Sequence, residues 1–126
     1  MNTLFDPFTL RGVTFQNRVW VSPMCQYSAT DGFVGAWHSA HLGAFATGAP
    51  GLIMVEATGV VPEGRISIGC PTIEDDAHAK AFAPMVEFAH SQGVKMGIQL
   101  AHAGRKASTM RPWDEKRMAE IGEGGW

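Results

Sequence analysis

The chain has 126 residues, 45% of them hydrophobic, and a formal net charge of −2 at pH 7. That supplies one modest core, and with no basic run it argues against nucleic acid as a partner. The N-terminus lacks the basic start and apolar run of a secretory signal, and no stretch approaches the ~20 apolar residues of a membrane span, so a cytoplasmic protein with reduced thiols and no membrane partner is expected.

Residues 1–18 read as an opening hairpin, with Thr9 and Leu10 running into Arg11-Gly12, Val13, Thr14 and Phe15, and glycine supplying the turn. Arg18 to Val21 is the first core strand. It runs into Ser22-Pro23, where the backbone must leave the ladder because proline has no N–H to donate. Residues 26–35 form a loop around Thr30-Asp31-Gly32. A helix is expected over 37–47, where Trp37, His41, Ala44 and Phe45 recur at three- and four-residue spacing, with Gly48 as its stop.

Gly51 to Val55 is an apolar run without polar alternation, the pattern of a strand covered on both faces. It ends at Glu56-Ala57-Thr58, and 60–72 is a long loop. Asp75 or Asp76 caps the next helix, whose apolar face is Phe82, Met85, Val86 and Ala89, with Gly93 closing it. Val94 to Leu100 is the third strand, with Gln99 near its end. Residues 101–126 form a polar loop region with one short helix expected over 113–121.

Strand alternating with helix means a parallel sheet with right-handed crossovers. Three parallel strands with unpaired outer edges do not make a stable domain. A doubly wound sheet is disfavoured because no G-x-G-x-x-G follows any strand. The expected fold is therefore α/β, about three βα units from the N-terminal portion of a (β/α)8 TIM barrel, incomplete in this chain; a whole barrel takes ~250 residues.

In such a fold the strand ends bind ligands. Here they carry Ser22, Pro23, Met24 and Cys25 with Tyr27, then Ala57, then Gln99: a thiol, a phenol, a small residue allowing close approach, and an amide with donor and acceptor. That set suits a flat heteroaromatic ligand better than a sugar or a metal. Taken singly, Cys25 also reads as a small buried hydrophobe and Tyr27 as an interfacial aromatic.

Four blocks carry a resemblance: Ser-Pro-Met-Cys-Gln-Tyr at 22–27, Val-Glu-Ala-Thr at 55–58, Pro-Glu-Gly-Arg-Ile at 62–66 and Ile-Gln-Leu-Ala-His-Ala-Gly-Arg-Lys-Ala at 98–107. In this order and spacing they resemble the N-terminal half of the Old Yellow Enzyme family, most closely its thermophilic-like branch that includes the xenobiotic reductases. The resemblance implies a single FMN-binding barrel domain that reduces activated C=C bonds of enones, enals or nitroalkenes. NADPH or NADH would be the reductant, in a ping-pong sequence. It implies that Ser22, Pro23, Met24 and Cys25 lie along the flavin, that Ala57 meets the isoalloxazine and that Gln99 bonds its pyrimidine edge. Cys25 would tune the redox potential and Tyr27 would hold the substrate carbonyl. A complementary C-terminal half of the barrel and a homo-oligomeric complete enzyme are implied as partners.

The remaining candidates read as structural. His38 and His41 sit three apart on the first helix and His102 follows the third strand, but nothing in sequence links Glu56 to them, and no metal site is expected. Cys25 and Cys70 are too far apart in sequence to suggest a disulfide framework. Arg65 and Arg105 are expected to brace loops or face solvent, and Met54, Met85 and Met96 to fill core. Two other readings stand beside the ene-reductase: a non-catalytic truncated or proteolysed half-barrel, and a different barrel enzyme such as a metal-dependent hydrolase or an aldolase.

Overall fold

A computed structural model of the chain describes residues 3–126. Strands β1 (Phe8–Leu10) and β2 (Val13–Phe15) form the opening hairpin, with Phe8 opposite Phe15 and Leu10 opposite Val13. The left-handed residue in its turn is Arg11 (φ 50°), not the glycine expected to supply it. Phe8 and Phe15 pack on Trp20, with the Phe15 and Trp20 rings 4.8 Å apart, so the hairpin closes over the start of the first core strand. Gln16 and Asn17 side chains donate to the Ala49 carbonyl (3.0 and 2.9 Å), tying the hairpin to the turn that begins the next strand.

The core sheet has three parallel strands in the order β3 (Trp20–Val21), β4 (Leu52–Gly59), β5 (Lys95–Ala101). Two helices, α1 (Ala36–Thr47) and α2 (Asp76–Ser91), make the crossovers. Ile53 and Val55 of β4, Leu42 and Ala46 of α1, and Phe82, Met85 and Ala89 of α2 form one buried cluster. At ~1.5–3 kcal/mol for each large apolar side chain buried, this layer is the main stabilising term. The helix α2 is as its sequence reads: Asp75 accepts the His78 N–H at 2.9 Å, and Gly93 takes the left-handed conformation (φ 76°) that ends it.

Three features differ from the sequence reading. In α1 the buried residues are His38, Leu42 and Ala46, whereas Trp37 is 58% exposed. Alanine and glycine surround this helix, so its apolar spacing can be drawn in more than one phase, and packing against β4 and α2 selects one. The strand β4 runs past Val55 to Gly59, with a register shift at Glu56 that leaves this residue without a partner on β5. No helix forms over 113–121. Asp114 accepts the Arg111 N–H, Met110 N–H bonds the Arg117 carbonyl, and a single 3₁₀ turn follows at Ile121–Glu123. That segment has no apolar face to bury, so nothing rewards a helix there.

The three loops at the C-terminal end of the sheet are stitched to one another. Ala29 N–H bonds the Gly69 carbonyl and Thr72 N–H the Gly32 carbonyl, both at 2.9 Å. Thr109 N–H and hydroxyl both donate to the Ile66 carbonyl, and Arg111 Nε donates to the Tyr27 carbonyl at 3.0 Å. The hairpin thus seals one end of the sheet, and the loops build a surface at the other. Among the described residues no helix is long and apolar enough to cross a membrane.

Candidate active site

Cys25 stands just beyond β3, half-buried, beside the backbone of Ala57 on the adjacent strand. Ala57 is buried and faces Gln99 across the β4–β5 ladder. Gln99 is exposed, with its amide on the outer strand. The structure therefore brings Cys25, Ala57 and Gln99 into one row across three parallel strand ends. Ser22 and Met24 are exposed on the approach to Cys25, with Pro23 half-buried between them, and Met24 gives its carbonyl to Gln26 Nε2 (2.8 Å).

Tyr27 has a left-handed backbone (φ 53°), which a bulky residue adopts only when its surroundings impose it. They do so from two sides. Arg111 Nε holds the Tyr27 carbonyl, and Gly69 packs so closely on that carbonyl that a Cβ would overlap it. The ring meets Trp113 edge-on at 5.9 Å. Burial raises the phenol above its usual range, helped by the negative charge available on Cys25, Cys70 and Glu56, so the hydroxyl stays protonated and can donate.

Behind this row lies a cluster that sequence reasoning missed. The thiols of Cys25 and Cys70 and the carboxylate of Glu56 approach one another within 4.8 Å. Glu56 is 4% exposed; its Oε2 accepts the Gln26 N–H at 3.0 Å, and its Oε1 lies 3.3 Å from His38 Nε2. The sequence expectation that nothing links Glu56 to a histidine is thus corrected. His38 Nδ1 accepts the Gly35 N–H at 3.2 Å, and the buried Nε2, though close to the carboxylate, makes no hydrogen bond among the described residues. The bulge at Glu56 frees this side chain from the strand pairing, a signal that the sequence pattern does not contain.

The thiols are unequal. The neighbouring Cys70 thiol, with the Ala57 backbone, lowers Cys25 to about 7 against the opposing effects of burial and Glu56. Cys70, fully buried, is pushed up, first by the Cys25 thiol beside it and then by burial. Three donors are fewer than a closed tetrahedral site takes, and one carboxylate oxygen already accepts the Gln26 N–H, so the arrangement favours proton and sulfur chemistry over cation binding.

The other sequence candidates brace loops. Arg65 Nε donates to the Pro62 carbonyl and its guanidinium lies 4.8 Å from the Trp126 ring, His102 Nδ1 accepts the Gly104 N–H, and His41 packs edge-on to Phe45. Arg105 is exposed.

A parallel sheet that carries its polar strand-end residues on one rim, opposite a hairpin plug, is the opening portion of a TIM barrel. The profile of the NADH:flavin oxidoreductase / NADH oxidase family matches residues 3–122, and the chain belongs to that family. It is 48% identical over 124 residues to an NADH:flavin oxidoreductase of Gibberella zeae, covering 98% of this chain and 30% of that protein. It is 52% identical over 110 residues to an NADPH dehydrogenase of Geobacillus thermodenitrificans, covering 85% and 32%. Among solved structures, the old yellow enzyme homologue of Zymomonas mobilis superposes with a TM-score of 0.79 at 28% identity, over 94% of this chain and 38% of that one. The chain spans about a third of the length of these relatives. Its fold matches part of the old yellow enzyme barrel, and its described residues form no closed barrel.

Proposed function

We propose that this chain forms one wall of an FMN site in an NAD(P)H-dependent oxidoreductase that reduces activated C=C bonds, completed by the rest of the barrel. The observation that carries the reading is the row Cys25–Ala57–Gln99, in which Cys25 stands beside the Ala57 backbone and Ala57 pairs with Gln99. These residues fit a flat heteroaromatic ring. Ala57 offers no bulk to keep a ring away, Gln99 presents an exposed donor and acceptor, and Cys25 presents a polarisable thiol. FMN, when bound, supplies a centre that takes hydride from NAD(P)H and passes it to the β-carbon of an enone, enal or nitroalkene. The names of the two curated relatives, one for NADH and one for NADPH, support a nicotinamide reductant without choosing between them.

Each residue then has a physical task. Gln99 fixes the ring by its edge, and Ser22, Pro23 and Met24 lie along it. Cys25 sets the charge next to the reacting atoms and so shifts the potential. Tyr27, protonated and held by Arg111 and Gly69 through its backbone, donates to the substrate carbonyl as negative charge builds there. The outer strands β3 and β5 each leave one edge unpaired in the three-stranded sheet, with Trp20 and Leu100 exposed on them, and these edges receive the complementary strands.

Tyr27→Phe tests the reading in the completed protein. Loss of one hydrogen bond to a developing charge lowers kcat/KM for a cyclic enone by roughly 10- to 100-fold, about 1.5–3 kcal/mol, with flavin content unchanged. Steady-state turnover with NADPH measures it. Unaltered turnover with several enones would return Tyr27 to a packing role against Trp113.

A further inference from the structure

The cluster of Cys25, Cys70 and Glu56 is not needed to hold a flavin, since two of its three members lie behind the row that faces the site. A pair of packing thiols does not call for a buried carboxylate beside them, because an ion in such a place costs several kcal/mol unless it is held and used. Glu56 is held by the Gln26 N–H, and its other oxygen lies 3.3 Å from His38 Nε2. The two cysteine-bearing loops are held as well: Ala29 N–H bonds the Gly69 carbonyl, and Gly69 sits against Tyr27, so the residues flanking each cysteine are already in contact. Cys25 is half-buried at the strand-end surface, whereas Cys70 is fully enclosed. One sulfur is reachable by a small solute, and the other is reachable only by the first.

We infer that Cys25 and Cys70 form a reversible dithiol–disulfide pair, in which Cys25 is oxidised by a hydroperoxide, Cys70 resolves it, and Glu56 takes the resolving proton. In the first step Cys25 sulfur attacks the peroxide oxygen. An S–O bond forms, the O–O bond breaks, and the departing oxygen takes a proton and leaves as alcohol or water. Sulfur has lost two electrons and the hydroperoxide has gained them. In the second step Cys70 sulfur attacks the Cys25 sulfenic acid. An S–S bond forms, the S–O bond breaks, and the hydroxyl leaves as water with the proton that Cys70 passes to Glu56. Two thiols and one hydroperoxide give a disulfide, an alcohol and water. The asymmetry of the thiols agrees with these roles, since the reachable sulfur is the one lowered to about 7 and the enclosed one keeps its proton until a base removes it. A dithiol reductant reverses the pair by exchange at the same sulfurs.

The inference uses only residues of this chain, although Cys25 also stands in the row proposed to face the flavin. The experiment treats the reduced protein, this chain with the rest of its barrel, with one equivalent of hydrogen peroxide in the presence of dimedone, followed by peptide mapping. Bound flavin is quantified separately, so a failed flavin reading and a failed thiol reading give different results. In the wild type the expected product is a peptide joining Cys25 to Cys70, with no dimedone adduct. Cys70→Ser should accumulate the adduct at Cys25. Glu56→Gln should slow the linking step by ~100-fold, the usual scale for loss of a general base, while leaving the first step as fast or faster. If Cys70→Ser does not fold, the linked peptide and the missing adduct in the wild type decide alone. Dimedone-labelled or over-oxidised Cys25 in the wild type, with no linked peptide, would overturn the inference.

Discussion

Cys25 owes its acidity to one neighbour more than to any other. The Cys70 thiol beside it is the largest influence, and it outweighs burial and the Glu56 charge, which both act in the opposite direction. Its rate of alkylation by iodoacetamide should therefore rise through a midpoint of about 7, well below the ~8.5 of an unperturbed thiol. Cys70→Ala should move that midpoint upward, because the neighbouring thiol is gone while burial and Glu56 remain. A wild-type profile with the midpoint of an ordinary thiol would show that Cys70 does not act on Cys25 in this way. At this scale the sequence is half legible. Cys25 and Tyr27 show themselves by following a strand broken at Pro23. Cys70 does not, because it sits in an irregular loop whose path is set by bonds from the loops after β3 and β5. Glu56 hides for a related reason, since a residue freed by a bulge has the same sequence pattern as one that is paired.

Among the elements, α2 is the one whose caps and buried face both follow from its sequence, and its start carries a testable charge pair. The backbone N–H of His78, and then its ring, hold the Asp75 carboxyl below its usual range. Burial works to lower His78, but the bond to Asp75, the Asp31 carbonyl and the charge of Glu74 together raise it. A lowered carboxylate stabilises the fold above its ordinary value of ~3.9 and loses this as the pH falls through its folded value. A raised imidazole stabilises it below ~6.5 and loses this as the pH rises through its folded value. The gap in melting temperature between wild type and Asp75→Asn should be widest between these limits and narrow on either side. A gap that does not vary with pH would contradict the pairing. The contrast with α1 is instructive. Phe82, Met85 and Ala89 mark a single apolar stripe on α2, but α1 is apolar on most sides, so only the packed structure shows that Leu42 is buried and Trp37 is not. Over 113–121 the charges of Lys116 and Glu120 are spaced as on a helix and do pair, at 3.4 Å, yet on a chain held in turns by Asp114 and Ser108.

On the scale of the molecule, the two ends of the sheet have separate tasks. The hairpin and its aromatic contacts close the N-terminal end, while the three loops at the other end bond to one another and fix Cys25, Tyr27, Ala57 and Gln99 in place. The parallel order β3–β4–β5 was legible from the alternation of elements. What the alternation does not contain is how the loops are joined, since those bonds run between residues as far apart as Tyr27 and Arg111. Flavin stoichiometry of the completed protein decides whether the row across the three strand ends is the wall of a flavin site. The wild type should purify with bound FMN and a visible flavin absorption band. Ala57→Leu should lose the flavin while keeping its far-UV circular dichroism, and Gln99→Ala should raise the FMN Kd about tenfold, the equivalent of one hydrogen bond at ~1.4 kcal/mol. A colourless wild type that takes up no added FMN, or two folded variants that hold FMN as tightly as the wild type, would contradict it.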